Sequence, residues 1–271
     1  MAKKRKVNVR NLAILILACI VVLSLIILLM IMAFSRKKEE PSEAAAETTP
    51  AAETESAEPT AEPTEAPSAE PEIDPAVFSD PDSYLIVANK KHRLPEGYAP
   101  SDLAVPDVEM RYNTWSMRLE AAEALETMFA KAEEDGIHLV MGSGYRAEDF
   151  QQVLYDGYCE QYGCEVADEI SSRPGYSDHQ TGLATDLCGV DESYDLSESF
   201  EETEEGKWLK EHAHEYGFIM RYPKGKAEIT GYAYEPWHFR YIGVEYATKI
   251  YEKDEWCSFE EYFNIEGGDY E

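Results

Sequence analysis

Positive charge is scarce in this sequence. Its 271 residues include 24 Lys and Arg against 54 Asp and Glu, a formal net of −30. Such a balance speaks against a nucleic-acid binder, because counterion release needs clustered cationic side chains. Cysteine is sparse too, five in all with no CxxC pair, so paired zinc knuckles are not expected. No internal repeat is present. The few bases are also unevenly placed: Lys3, Lys4, Arg5, Lys6, Arg10, Arg36, Lys37 and Lys38 fall in residues 1–38 with no acid among them, so the other 233 residues carry 16 − 54 = −38. Two physical regimes share one chain.

From Leu12 to Phe34, 23 residues include Ser24 as the only clearly polar member. At about 1.5 Å per residue this run crosses a hydrocarbon core of roughly 30 Å. The expectation is a transmembrane helix over 12–34. It is too long for the apolar core of a cleaved signal peptide, and no small-residue cleavage site precedes Arg36. Five bases before it and three after place residues 1–11 in the cytoplasm and everything beyond outside the cell. Residues 35–76 then read as a disordered stalk. Within 39–76 there are 12 acids, no base, no aromatic, no Gly and seven of the 14 prolines. Such a segment cannot bury enough apolar surface to offset its ordering entropy.

Residues 77–271 hold all four Trp, all 18 Tyr and eight of nine Phe, enough for one domain with its own core. Cys159, Cys164, Cys188 and Cys257 lie in this exported part and permit disulfides. Of three pairings, Cys159–Cys164 with Cys188–Cys257 is the most economical. Apolar spacing predicts a helix over about 114–135 ended by Gly136, a strand over 137–141, and helices over about 148–162, 202–216 and 245–253. Strand-like runs are expected at Tyr84–Val87, through Ile229, Tyr232 and Tyr234, and at Phe239–Ile242. Helices and strands alternate without regular βαβ order, which suggests α+β with an antiparallel sheet. His92, His138, His212 and His214 have no metal-ligand spacing and are expected to be packed or solvated.

Two segments carry chemistry: Ser177-Asp178-His179-Gln180-Thr181-Gly182-Leu183-Ala184-Thr185-Asp186 and Glu235-Pro236-Trp237-His238-Phe239-Arg240-Tyr241. His179 and Asp186, seven apart, would face opposite ways on a straight strand, so convergence needs a bend at Gly182. Glu235 and His238 need a tight turn, and Pro236 suits one. Two His and one Asp form a catalytic zinc set with a position left for water, although other divalent metals also accept it. The net site charge of about +1 lowers the pKa of that water toward ~7. Glu235 could serve as the base, and Arg146, at a strand end, as a cationic fork for a terminal carboxylate or an oxyanion. Trp237 and Tyr241 read as core.

Together these segments resemble the VanY-like D-alanyl-D-alanine carboxypeptidases, zinc peptidases that trim peptidoglycan stem peptides. The resemblance runs from Asn89-Lys90, Leu94-Pro95 and Tyr98 through Ser143-Gly144-Tyr145-Arg146, Gln151 and Leu154-Tyr155. It continues over Pro174 to Asp186, Trp208-Leu209, Tyr216-Gly217-Phe218, Arg221-Tyr222-Pro223 and Glu235 to Tyr241. It implies an α+β zinc D,D-peptidase (hedgehog/DD-peptidase-like) fold with a central antiparallel sheet. By the same resemblance one Zn2+ is held by His179, Asp186 and His238, Glu235 is the base and Arg146 the substrate or transition-state arginine. Ser143, Gln151 and Ser177 would line the peptide pocket. The implied activity is removal of the C-terminal D-Ala from stem peptides. An L,D-carboxypeptidase acting on tetrapeptides shares every one of these residues, and a wall-binding module that keeps zinc without turnover is the reading from another class.

Overall fold

The computed structural model describes residues 73–270. The expected transmembrane helix at 12–34 and the stalk up to residue 72 lie outside the described residues. Just before the expected domain boundary Asp74 caps a 3-10 turn at Pro75–Phe78, and Val77 and Phe78 pack against the core.

Two short strands, β1 (Leu103–Ala104) and β2 (Met117–Arg118), pair antiparallel and lead into helix α1, Leu119–Glu134. The helix starts later than its apolar spacing suggested because Met117 and Arg118 are taken by the strand pair. Leu119, at its first position, is consequently exposed, while Ala122, Leu125, Met128 and Ala132 are buried at three-to-four spacing. β3 (Val140–Ser143) starts three residues later than the expected 137–141 and runs on through Gly142 and Ser143; α2 (Glu148–Tyr162) follows as expected, then a short helix α3, Cys164–Ile170, that local spacing did not reveal. β4 (Ala184–Cys188), α4 (Glu204–His212) with a 3-10 extension to Tyr216, and β5 (Phe218–Met220) come next. The strand-like run near Ile229 is instead one helical turn, α5 (Ala227–Thr230), closed by Gly231 in the left-handed region. β6 (His238–Tyr241), α6 (Val244–Lys253) and α7 (Phe259–Phe263) complete the fold. Tyr84–Val87 is likewise no strand; the Tyr84 and Ile86 carbonyls accept from Arg240.

The central sheet is antiparallel throughout, in the order β3-β4-β6-β5, as expected for this class. Alternation along its strands separates two faces. Met141, Leu187, Phe218, Phe239 and Tyr241 join Leu125 and Met128 of α1 and Trp208 and Leu209 of α4 in the main core. On the other face Ile219 packs with Ala247 and Ile250 of α6, Phe259 of α7, and Leu85 and Val87. His238, Arg240 and Asp186 share that second face.

Cys159 and Cys164 form a disulfide across the junction of α2 and α3. The expected Cys188–Cys257 bridge is absent, and both thiols are free and buried. Cys188 ends β4 against the Val140 carbonyl, whereas Cys257 belongs to the cluster under β5, α6 and α7. Strand β6 lies between β4 and β5 in the sheet, so the two thiols pack against different elements.

Candidate metal and peptidase site

The site is a row across three strands. Ser143 of β3 pairs with Asp186 of β4, which pairs with His238 of β6. Cross-strand partners point to one face, so this register gathers the three side chains. It depends on a bulge. β3 advances from Met141 to Ser143 while β4 moves one residue, so Gly142 is the extra residue that turns Ser143, rather than itself, toward Asp186. A Cβ at Gly142 would lie 3.0 Å from the Cys188 sulfur.

His179 arrives from a 3-10 turn, Asp178–Thr181, ended by Gly182 at φ +69°. This is the bend that the seven-residue spacing required. Glu235 and His238 close a turn in which the His238 amide donates to the Glu235 carbonyl (3.2 Å), with Pro236 at its second position. His179, Asp186 and His238 are all buried, and one ligand atom from each lies within 4.8 Å of the others. His179 Nε2 is 3.5 Å from Asp186 Oδ2, and His238 Nδ1 is 3.5 Å from Asp186 Oδ1 and 3.2 Å from Glu235 Oε2.

The outer partners set which nitrogen faces inward. His179 Nδ1 is 3.0 Å from the Gly144 carbonyl, which can only accept, so Nδ1 carries the proton and Nε2 is left for a metal. His238 is the reverse: Nε2 lies 3.5 Å from Asp178 Oδ2, leaving Nδ1 inward. Asp178 is itself buried and paired to Arg240, with Arg221 Nε at 3.9 Å. Burial by itself would raise the Asp178 carboxyl, but Arg240, the His238 hydrogen bond and Arg221 hold it well below the usual carboxylate range. Among protein groups alone, burial draws His179 down to about 4, with Arg146 adding to the effect. Burial also opposes charge on His238, yet Asp178, Glu235 and Asp186 outweigh it and lift the imidazole to about 9.

Two buried polar atoms here lack a hydrogen-bond partner: Asp186 Oδ1, an acceptor, and Arg146 Nε, a donor. The first is the expected trace of a cation site, because a buried carboxylate oxygen without a hydrogen bond is costly. Two imidazoles that each turn one ring nitrogen inward, with one carboxylate, fit a Zn2+ ion. The second atom points to an anion. Among the described residues six arginines pair with carboxylates, and Arg146 alone has none. Its Nη1 donates to the neutral Gln151 Oε1 at 3.3 Å.

Of the residues expected to line the pocket, Ser143 donates to Asp186 Oδ2. Ser177 is buried and opens the turn that carries His179. Gln151 is also buried, against Ser171 and Ser172, and reaches the site through Arg146. Trp237 and Tyr241 pack in or against the main core. Sequence reasoning assigned no role to Asp178 or Arg240. Each stands beside a recognised residue, but its partners are about 60 positions away, so only the register of β6 could have revealed them. Replacing Asp178 by Asn should weaken zinc affinity about 10- to 100-fold, read by competition with a chromophoric chelator. An unchanged affinity would show that His238 needs no such partner.

The VanY model for D-alanyl-D-alanine carboxypeptidases matches residues 114–244. YodJ of Bacillus subtilis is 44% identical over 188 residues, 68% of either chain. The solved L,D-carboxypeptidase LdcB is 43% identical with a TM-score of 0.64, over 69% of this chain and 89% of that one. A mutant of the vancomycin-resistance D,D-pentapeptidase VanY, solved with Zn(II), is 33% identical with a TM-score of 0.55, over 67% and 99%. A buried His-Asp-His cluster, an orphaned carboxylate oxygen and this match together show that the chain belongs to the VanY-like family of zinc carboxypeptidases acting on peptidoglycan peptides.

Proposed function

We propose that this protein is a membrane-anchored zinc carboxypeptidase that releases the C-terminal D-Ala of peptidoglycan stem peptides at the outer face of the cell. The unpaired, partly buried Arg146 beside the His-Asp-His cluster carries this reading, because it offers a cationic fork to a terminal carboxylate next to the reacting carbonyl. The ligands would be His179 Nε2, His238 Nδ1 and Asp186, holding one ion. Bound there, zinc supplies Lewis acidity and a nucleophilic water at neutral pH.

The chain's own residues do the rest. Glu235 Oε2 takes a proton from the attacking water and returns it to the leaving amine of D-Ala. Arg146 binds the carboxylate and so fixes which peptide bond is presented. Ser143 orients Asp186 through its hydroxyl, and Ser177 would line the peptide pocket. The apolar run at 12–34 and the base-rich flanks would hold residues 1–11 in the cytoplasm and the catalytic domain outside, on the acidic stalk. The disulfide between Cys159 and Cys164 supports an exported location. No nucleic-acid partner is proposed.

The description of the matching family favours the D,D bond of a pentapeptide. The higher identity to LdcB than to VanY favours a second reading, cleavage of the L,D bond of a tetrapeptide. The zinc-loaded full-length chain, incubated with both peptides and followed by mass spectrometry, separates them. Loss of one D-Ala from the pentapeptide alone is the D,D outcome, and loss from the tetrapeptide is the L,D outcome. Chelation should abolish either. No release from either peptide with zinc bound would leave only a binding role.

A further inference from the structure

Arg146 is held from behind by residues distant in the chain. The amide of Gln151 has one possible orientation: the Ser172 carbonyl can only accept and Arg146 can only donate. Nε2 therefore donates to Ser172 O (2.8 Å) and Ser171 Oγ (3.0 Å), and Oε1 accepts from Arg146. A neutral acceptor suits this place, because it fixes the guanidinium without neutralising a charge that a carboxylate ligand would need.

Residues 171–173 are fixed in turn. Ser172 Oγ lies 2.7 Å from Tyr232 Oη, and the Arg173 amide donates to Tyr270 Oη at 2.8 Å. The Arg173 guanidinium also stacks 4.0 Å from the centre of the Tyr270 ring. Between the two tyrosines sits Lys90, 4% exposed, its ammonium 4.7 Å from the Tyr232 ring centre and 5.4 Å from that of Tyr270, with Asp269 at 3.1 Å. Backbone contact places this last segment. A Cβ on Gly267 would sit 2.1 Å from the Ile229 carbonyl oxygen, and one on Gly231 2.4 Å from that of Gly268. Side chains at either glycine would push the two segments apart.

We propose that Lys90 and Tyr270 are positioning residues for Arg146, acting through the 171–173 segment and Gln151. They do not touch the substrate. Tyr270 and Lys90 clamp the segment, the segment holds the Gln151 amide, and the amide sets the angle of the guanidinium. The proposal rests on the reading of Arg146 as the carboxylate-binding group.

The test uses the zinc-loaded full-length chain with two readouts. In NMR of the arginine side chains, Arg146 assigned by its loss in Arg146→Lys, the wild type should show slow guanidinium rotation, and Tyr270→Ala and Lys90→Met should release it. In steady-state kinetics the same variants should raise KM for a D-Ala-terminated peptide about tenfold, with kcat within about twofold. Tyr270→Phe, which keeps the ring but not the acceptor, should fall between. Should Tyr270→Ala fail to fold, Tyr270→Phe and Gln151→Leu carry the same comparison. Wild-type rotation and KM in the folded variants would overturn the proposal. If rotation is released but Arg146→Ala itself leaves KM unchanged, the positioning stands and the carboxylate role of Arg146 falls.

Discussion

Replacing Glu235 by Gln should lower kcat by about 10²–10⁴-fold while the protein still binds zinc and keeps its KM. The change preserves size and hydrogen-bonding reach, so the turn at Pro236 and the His238 position should survive it. Only the ability to accept a proton is lost. Glu235 is outside the His179–Asp186–His238 cluster but has Oε2 3.2 Å from His238 Nδ1, which puts it at the edge of the place where a water would be activated. It is only partly exposed, and its backbone is tied to Tyr222 by a 3.1 Å hydrogen bond, so the carboxylate is presented from a fixed turn. The measurement is release of D-Ala by the zinc-loaded variant, with metal content determined on the same sample. Turnover at the wild-type rate would remove Glu235 from the mechanism, and loss of zinc would recast it as part of the metal site.

The largest stability effect is expected inside the buried charge network. Arg240 pairs with Asp178 and donates to the carbonyls of Tyr84 (3.1 Å), Ile86 (2.7 Å) and Tyr241 (3.1 Å). Arg221, equally buried, pairs with Glu260 and stands 3.9 Å from Asp178. Substituting Arg240 by Met would leave a buried carboxylate underpaired and three carbonyls without their donor. A loss of about 3–5 kcal/mol is expected, a large part of the ~5–15 kcal/mol typical of a domain. Urea unfolding of the variant would show it as a lower midpoint. A loss below about 1 kcal/mol would mean that Arg221 alone compensates Asp178. The sign with pH is also set. A carboxyl held below its unfolded value contributes stability that is present above about pH 4 and lost as pH falls toward its folded value. Asp178 is of this kind, so the wild type should weaken in acid by more than a variant carrying Asn at that position.

The sequence by itself determined which residues could carry the chemistry proposed for the site. His179, Asp186, His238, Glu235 and Arg146 were recognisable from residue type, spacing and family resemblance, because each stands in a short segment whose glycine or proline announces a turn. Helices with a long apolar stripe, such as Leu119–Glu134 with Ala122, Leu125, Met128 and Ala132 buried, were legible for the same reason: their signal is local. Short elements were not. The helical turn at Ala227–Thr230 and the helix at Cys164–Ile170 contain too few residues to express a period, and their neighbours decided them.

Tertiary structure alone decided how the pieces act together. The bulge at Gly142 brings Ser143 into the row with Asp186, a one-residue matter of register that no local pattern records. Asp178 adjoins His179 in sequence yet serves His238, because a turn sends consecutive side chains in different directions. Cys188 and Cys257 looked like a pair until the sheet separated them. Residue types set which reactions are possible, through their lone pairs, charges and protons. Which nitrogen faces into the cluster, and which arginine stays unpaired in so acidic a domain, depends on groups up to 84 residues apart meeting at hydrogen-bond distance. Only the folded chain brings them there.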